Sequence, residues 1–295
     1  MTGGAGFIGS HLVDALAARR ESVVVCDDLR TGRLANLERA ISLGGATFIY
    51  ADPETDCADL RGVIASSGFD DVDCIYHFVT AGADAGPPAE VRAVDGASIR
   101  TLEAFIEMCL EYGSRLVLAS SFTTGTVAGA SGLFCDETVA RLESIVAEAV
   151  RRRLLDARVV RFANCYGPRL QMIDDSFITA LLEAKVAGRP MDMPHYGDQV
   201  RSMTYVSDAI EQLQDVLEQP PSAEPITIAT NGKHSIDEIA GIIASLERSA
   251  ENRVGFRSFL PQRGGRRASS RAATSLKDGL RMTFAWFSKN SRLFA

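Results

Sequence analysis

The chain has 295 residues, room for one large domain or two small ones. Hydrophobic residues make up 46% and charged residues 23%, an ordinary balance for a globular protein, and a formal net charge of −7 weighs slightly against a nucleic-acid partner. No apolar run approaches the about 18 residues of a membrane span, and the six cysteines (Cys26, Cys57, Cys74, Cys109, Cys135, Cys165) show no C-x-x-C spacing, which fits reduced thiols in a cytoplasmic setting.

The amino-terminal stretch is Thr2-Gly3-Gly4-Ala5-Gly6-Phe7-Ile8-Gly9-Ser10-His11-Leu12, and it runs into the helical spacing Ile8, Leu12, Leu16. Each spaced glycine has a task. Gly3 permits a tight turn out of a strand, Gly6 lets a pyrophosphate approach the backbone, and Gly9 lets a helix lie close to a sheet. The helix start at Phe7 and Ile8 offers unpaired N–H groups and a positive dipole end. Such a turn normally follows a buried strand of about five or six residues. Here only Met1 and Thr2 precede it. Losing three or four buried aliphatic side chains, at ~1.5–3 kcal/mol each, removes on the order of 5–10 kcal/mol, comparable with the stability of a whole domain. The first strand is therefore expected to be missing, with either an upstream start or a damaged sheet as the reason.

Val23-Val24-Val25-Cys26-Asp27 reads as a strand ending in an acid 18 residues beyond Gly9, placed for an adenosine ribose. Asp27 predicts NAD rather than NADP, and Arg30 and Arg33 lie close enough to blur that preference. Further strands are expected at 47–50, 74–78, 116–119 and 159–162, alternating with helices over 97–110 and from Asp136 onward. Alternation of this kind predicts a parallel sheet covered on both faces. Beyond Pro168 the pattern predicts a helix over 176–187, a strand at Met203–Val206 and a helix to Leu217. A capping box at Ser235-Ile236-Asp237-Glu238 opens another helix, and a final amphipathic helix covers Ser275–Phe287. The expected fold is α/β, a doubly wound parallel sheet of Rossmann type over residues 1–165 with a smaller substrate lobe over 166–295. The boundary is soft, because elements of the second half can rejoin the sheet.

These motifs together resemble the extended short-chain dehydrogenase/reductase family of nucleotide-sugar enzymes, UDP-glucuronate decarboxylases most of all. Thr2–Leu12 is similar to the family's TGGAGFIGSHL, and Asp27–Arg33 with Asn36-Leu37 resembles its adenosine-binding segment. Ala51-Asp52, Tyr76-His77-Phe78, Leu118-Ala119-Ser120-Ser121, Arg161–Arg169 and the Tyr196–Asp208 region follow in the family's order. The resemblance implies NAD as cofactor, held by Gly3, Gly6, Phe7, Ile8, Gly9, Asp27, Asp28, Thr31, Gly32 and Asp52. It implies a UDP- or dTDP-linked sugar contacted by Asn164, Arg201 and Arg267. It also implies a homodimer, or a heterodimer with an active paralogue, through the helices that follow the strands at 74–78 and 116–119. Neither a membrane nor a metal is implied; His11, His77, His195 and His234 form no ligand motif, and His77 reads as a packed strand-end side chain.

The resemblance fails where proton transfer belongs. The family sets a tyrosine and a lysine four residues apart at the start of the helix after the strand at 116–119; aligned on Asp136-Glu137, Cys135 and Val139 stand in their places. No tyrosine in the chain has a lysine four residues on. The Ser/Thr-Glu pair after that strand is also lost, and the stretch between Arg267 and Ser275 is shorter than in the family. The residues left for acid–base work are Cys135, Glu137 and Ser121. Cys135 reads either as a substitute or as a buried structural thiol. Asp136 and Glu137 read either as a relocated pair or as helix-start carboxylates favoured by the dipole. Asn164 either contacts substrate or orders its loop, and Arg201 and Arg267 are either phosphate contacts or solvated charges. The expected function is that of a NAD-binding relative of nucleotide-sugar decarboxylases, epimerases and dehydratases with impaired or no catalysis. The competing readings are a non-catalytic NAD(H) or nucleotide-sugar binding protein and a truncated gene product.

Overall fold

In the computed structural model, which describes residues 1–52, 62, 71–78, 88–121, 136–171, 177–191, 199–230, 232–247 and 273–290, the chain forms two units. The first comprises Met1–Phe162 and Leu213–Thr227, the second Ala163–Gln212 and Ile228–Ala295.

The first unit is built on β-branched and apolar runs that become parallel strands. These are β1 (Val23–Asp27), β2 (Ala46–Tyr50), β3 (Cys74–Phe78), β4 (Arg115–Ser121) and β5 (Ala157–Phe162). β1 pairs with β2, β3 with β4 and β4 with β5, all in parallel. Leading into the glycine turn, the backbone of Met1–Gly3 runs between β1 and β3. Thr2 bridges Cys26 on one side and His77 on the other, both in parallel sense. The ladder consists of Cys26 N–H to Met1 O at 2.8 Å, Gly3 N–H to Cys26 O at 3.1 Å, Thr2 N–H to Tyr76 O at 3.0 Å and Phe78 N–H to Thr2 O at 3.4 Å. The resulting order is that of a doubly wound dinucleotide-binding sheet.

Helix α1 (Phe7–Ala18) buries Leu12, Val13 and Leu16, and Val25 of β1 is buried beside Gly4 of the preceding turn. A 3-10 turn (Leu34–Leu37) and α2 (Glu38–Ser42) lead into β2. A hydrophobic core forms between the sheet and two further helices. There Leu102, Phe105, Met108 and Cys109 of α3 (Pro88–Tyr112) and Leu142 and Val146 of α4 (Asp136–Arg151) pack on Cys26, Ile75, Leu116, Leu118 and Val159. The spacing of α4's apolar residues is the 3.6-residue stripe of a helix with one face in the core. α3 starts earlier than its apolar pattern suggests, with Pro88 in the first turn, where a missing N–H costs little.

The second unit holds β6 (Cys165–Tyr166), α5 (Phe177–Ala187), β7 (Val200–Ser202), β8 (Thr204–Tyr205), β10 (Lys233–Ser235), α7 (Ile236–Ser245) and α8 (Leu276–Lys289). Between them, α6 (Val206–Leu217) and β9 (Ile226–Ile228) straddle the division of the chain, and β9 joins the main sheet beside β5. β6 pairs with β8 in parallel and β7 with β10 antiparallel. The strand expected at Met203–Val206 is shorter than its composition implies. Thr204 and Tyr205 alone pair, opposite Cys165 and Tyr166, and Val206 already opens α6. Ser235 caps α7 as its box predicts, its Oγ accepting Glu238 N–H at 3.1 Å. Gly279 lets α8 pass Tyr166: a Cβ there would lie 2.3 Å from the phenol oxygen.

His77 sits at the centre of the main sheet, 6% exposed, with Nδ1 2.7 Å from Thr2 Oγ1 and its ring 5.0 Å from that of Phe105. Burial drives its pKa from 6.5 down to about 4. The unfolded chain therefore takes up a proton that the folded one refuses. Stability is full above pH about 6.5 and falls as pH drops toward about 4. The full loss is on the order of 3 kcal/mol. Denaturant midpoints across this range are expected to fall with acidification in the native protein, and much less in His77→Phe.

Candidate functional site

Three glycines shape the amino-terminal turn. Gly3 is left-handed at φ +66°, and a Cβ there would meet Phe78 Cβ at 2.9 Å. A Cβ on Gly9 would stand 2.2 Å from Gly3 O, so only hydrogen fits. Gly6 caps α1 in an extended conformation with no side-chain bond to the first turn, and Phe7 and Ile8 begin the helix. The turn is thus a backbone cradle at a helix N-terminus, the arrangement that receives phosphates.

Asp27 closes the cradle from the end of β1. Its Oδ2 accepts Ala5 N–H and its Oδ1 accepts Leu29 N–H, both at 2.9 Å. Burial raises its pKa above the usual carboxylate value, and the two N–H bonds oppose that shift. Ala5 O in turn accepts Arg33 N–H at 3.0 Å and Asn36 Nδ2 at 2.8 Å. Gly32 approaches so closely that a Cβ would lie 2.6 Å from Asp27 Oδ1. Thr31 precedes it, half-buried. Beyond β1, Arg30 Nε pairs with Asp28, and Arg30 Nη2 lies 3.5 Å from Asp52 Oδ1 at the end of β2. The sequence singles out Asp27, Asp28 and Asp52 separately; the bonds through Ala5, Asn36 and Arg30 gather them at one corner.

At the ends of β4 and β5 lies a second polar cluster. Glu143 of α4, 6% exposed, accepts Ser120 Oγ at 2.8 Å and Arg161 Nε at 2.9 Å on Oε1, and its Oε2 also takes Arg161 Nη2. Sequence reasoning passed over Glu143. The available signal is a carboxylate inside the apolar stripe Val139, Leu142, Val146. Ser121 is the last residue of β4, Glu137 the second of α4, and Val139 stands one turn before Glu143. Cys135 and Arg267 lie outside the described residues. The buried thiols Cys26, Cys74 and Cys109 are pushed up by burial, Cys74 to about 11 and Cys109 to about 12, and so are inert near neutrality.

In the second unit, Asn164 is exposed and left-handed at φ 43°, and its carbonyl accepts Thr204 N–H at 3.2 Å. Arg201 lies on β7 opposite His234 of β10, with Nη2 2.6 Å from Gln199 Oε1. His234 Nδ1 is 3.1 Å from Glu238 Oε2. Among the described residues there is no group of three His, Cys, Asp or Glu side chains that could hold a metal, and no helix long and apolar enough to cross a membrane.

A sequence model of the NAD dependent epimerase/dehydratase family matches residues 1–229. UDP-glucuronic acid decarboxylase 1 of Xenopus tropicalis is 28% identical over 323 residues, covering 98% of this chain and 72% of the relative. Among solved structures, UDP-glucose 4-epimerase of Thermotoga maritima with UDP-glucose is 21% identical with a TM-score of 0.73, covering 98% of each chain. dTDP-glucose 4,6-dehydratase of Bacillus anthracis in complex with NAD is 18% identical with a TM-score of 0.71, covering 99% of this chain and 96% of that one. These likenesses establish the shared fold.

Removing the Glu143 carboxylate strands Arg161 and leaves Ser120 without its acceptor. Arg161 keeps 37% of its side chain in solvent, which reduces the cost of losing a buried partner. Glu143→Ala is expected to destabilise the first unit by about 1–3 kcal/mol, and Glu143→Gln by less because its amide oxygen still accepts. Chemical denaturation of the two variants beside the native protein measures the difference.

Proposed function

Because the chain belongs to the NAD dependent epimerase/dehydratase family, we propose that it binds NAD at the Gly3–Gly9 turn and a nucleoside-diphosphate sugar through its second unit, without the side-chain pair that ordinarily moves the sugar hydroxyl proton. The observation that carries the cofactor half is the cradle itself. Gly9 cannot bear a Cβ, Gly6 caps a helix without a side chain, and Asp27 lies beside the turn at Ala5. That set suits a pyrophosphate and a ribose. On this reading the first-turn groups of Phe7, Ile8 and Gly9 meet the phosphates, and Asp27 accepts from the adenosine ribose. Asp28, Thr31, Gly32 and Asp52 frame the adenosine. Asn164, Arg201 and Arg267 serve the sugar nucleotide. Since the curated relatives are named UDP-glucuronic acid decarboxylases, UDP-glucuronic acid is the first sugar to try.

Bound at the Gly3–Gly9 turn, NAD would supply a hydride acceptor and donor for the sugar. The chain must supply a group that accepts the hydroxyl proton as hydride leaves, and a positioned acid–base group contributes ~10²–10⁴-fold. In the family that group is a phenol whose pKa is lowered by a nearby ammonium, so that its ionised form can accept the proton. Val139 has neither charge nor donor. A thiol at Cys135 is shorter than a phenol and has no lysine four residues on to stabilise its thiolate. Ser121 and Glu137 remain as the other candidates, and neither restores the pair. The chain on this reading keeps cofactor binding and loses ordinary turnover.

Titration calorimetry with NAD is expected to give saturable binding, weakened about tenfold or more in Asp27→Ala through loss of a charge-assisted bond. NADH absorbance and product formation with UDP-glucuronic acid, UDP-glucose and dTDP-glucose are expected to show no turnover. Cys135→Tyr alone leaves a phenol of pKa about 10 with nothing to lower it. Val139→Lys alone leaves no proton acceptor. The double variant is expected to exceed the sum of the singles. Robust turnover by the native protein, abolished by Cys135→Ala or Glu137→Gln, would overturn the reading and assign those residues the acid–base role.

A further inference from the structure

The corner beyond β1 contains an arginine where arginines in related sites accommodate the 2′-phosphate of NADP. In this chain that arginine is already engaged. Arg30 N–H bonds Asp28 Oδ1 at 3.0 Å, Arg30 Nε pairs with the same carboxylate, and Nη2 reaches Asp52 Oδ1 at 3.5 Å. Asp28 follows β1 and Asp52 follows β2, so the guanidinium ties together the carboxyl ends of two neighbouring strands. Asp27 adds a third carboxylate, buried against Ala5 and Leu29. Two carboxylates face the guanidinium, and with Asp27 counted the four side chains carry a formal charge of two negative.

We propose that Asp28 and Asp52 hold Arg30 as an internal counter-ion, and that this clamp, together with Asp27, sets the selection of NAD against NADP. A 2′-phosphate reaching Arg30 would compete with Asp28 and Asp52 for the same guanidinium charge, and would meet two carboxylates of like charge beside it. The ribose 2′-hydroxyl carries no such charge and meets no such penalty. Arg30 therefore does not blur the preference that Asp27 implies, because its charge is offset by Asp28 and Asp52. The inference rests on the reading that places the adenosine ribose at Asp27.

The test is titration of NAD and NADP against the native protein, Asp28→Asn, Asp52→Asn, their double variant, and the double variant carrying Arg30→Gln. All substitutions are at polar corner positions, the Asn changes are near-isosteric, and thermal melts confirm that each variant is folded. The native protein is expected to prefer NAD. Freeing Arg30 in the double variant is expected to raise the NADP-to-NAD affinity ratio about tenfold, the scale of a pair of partly exposed charge interactions. Adding Arg30→Gln is expected to abolish that gain. A ratio unchanged in the double variant overturns the clamp, as does a gain that survives Arg30→Gln. Asp27→Ala separates the two levels of the argument. If it weakens NAD binding while the double variant leaves the ratio unchanged, the cofactor reading stands and the clamp falls. Should Asp27→Ala leave NAD binding untouched, both fall.

Discussion

The fold and the cofactor cradle both depend on one short piece of backbone, Met1–Gly3. It supplies the ladder bonds between β1 and β3 and then turns at once into the glycine loop. Gly3 shows the double duty. Its N–H bonds Cys26 of β1, while its carbonyl accepts Gly6 N–H and is the atom that a side chain on Gly9 would strike. The sheet register therefore fixes the loop, and the loop fixes the start of α1. From there Ala5 carries the constraint outward: its N–H holds Asp27 and its carbonyl holds Arg33 and Asn36. The segment after β1 thus folds back onto the turn that precedes α1. The hydrogen bonds through Ala5 therefore tie Asp27 to the glycine turn.

Two buried charged side chains of the first unit, Glu143 and Arg158, keep partners, as charge removed from water requires. Glu143 lies among apolar residues of α4 and is matched by Arg161 and Ser120. Arg158 is 3% exposed in the middle of β5, and its guanidinium is met by Asp156 and by the carbonyl of Gln219, beyond the end of α6. These contacts join elements distant in sequence. Arg158 brings residue 219 back to the sheet, and Ser222 N–H bonds Ala157 O at 3.2 Å beside it. The return of residues 213–227 to the first unit is accordingly written in polar contacts as much as in apolar ones.

What could be read from the sequence was whatever a local period or a local box encodes. The strands at β1, β3 and β4 show as unbroken apolar runs, α4 as a stripe, α7 as a Ser-to-Glu box, and the glycine turn as a fixed spacing. Met1–Gly3 escaped because so short a stretch has no period; its place in the sheet is set by neighbours on both sides. The division of Met203–Val206 between β8 and α6 escaped for a related reason, since residue type there favours a strand while pairing partners end at Tyr205. Arg30 was visible as a charge, but its partner was not. A guanidinium near a phosphate site and near two carboxylates satisfies the same sequence pattern in either pairing, and the relative placement of β1 and β2 decides it.

The two halves of the proposed chemistry differ in how strongly the fold depends on them. The cradle is made of backbone groups, and its glycines are required by contacts under 3 Å at Gly3 and Gly9. Substituting them would disturb the centre of the sheet whether or not a dinucleotide ever binds. On the proposed reading, proton transfer would depend on positions 135 and 139, whereas α4 is anchored elsewhere, through Leu142, Glu143 and Val146. Val139 sits half-buried on the same helix without demanding a polar partner. Stability alone can therefore preserve the cradle while leaving the acid–base positions open to change. The glycine turn on its own is consequently an argument for a dinucleotide fold and not for turnover.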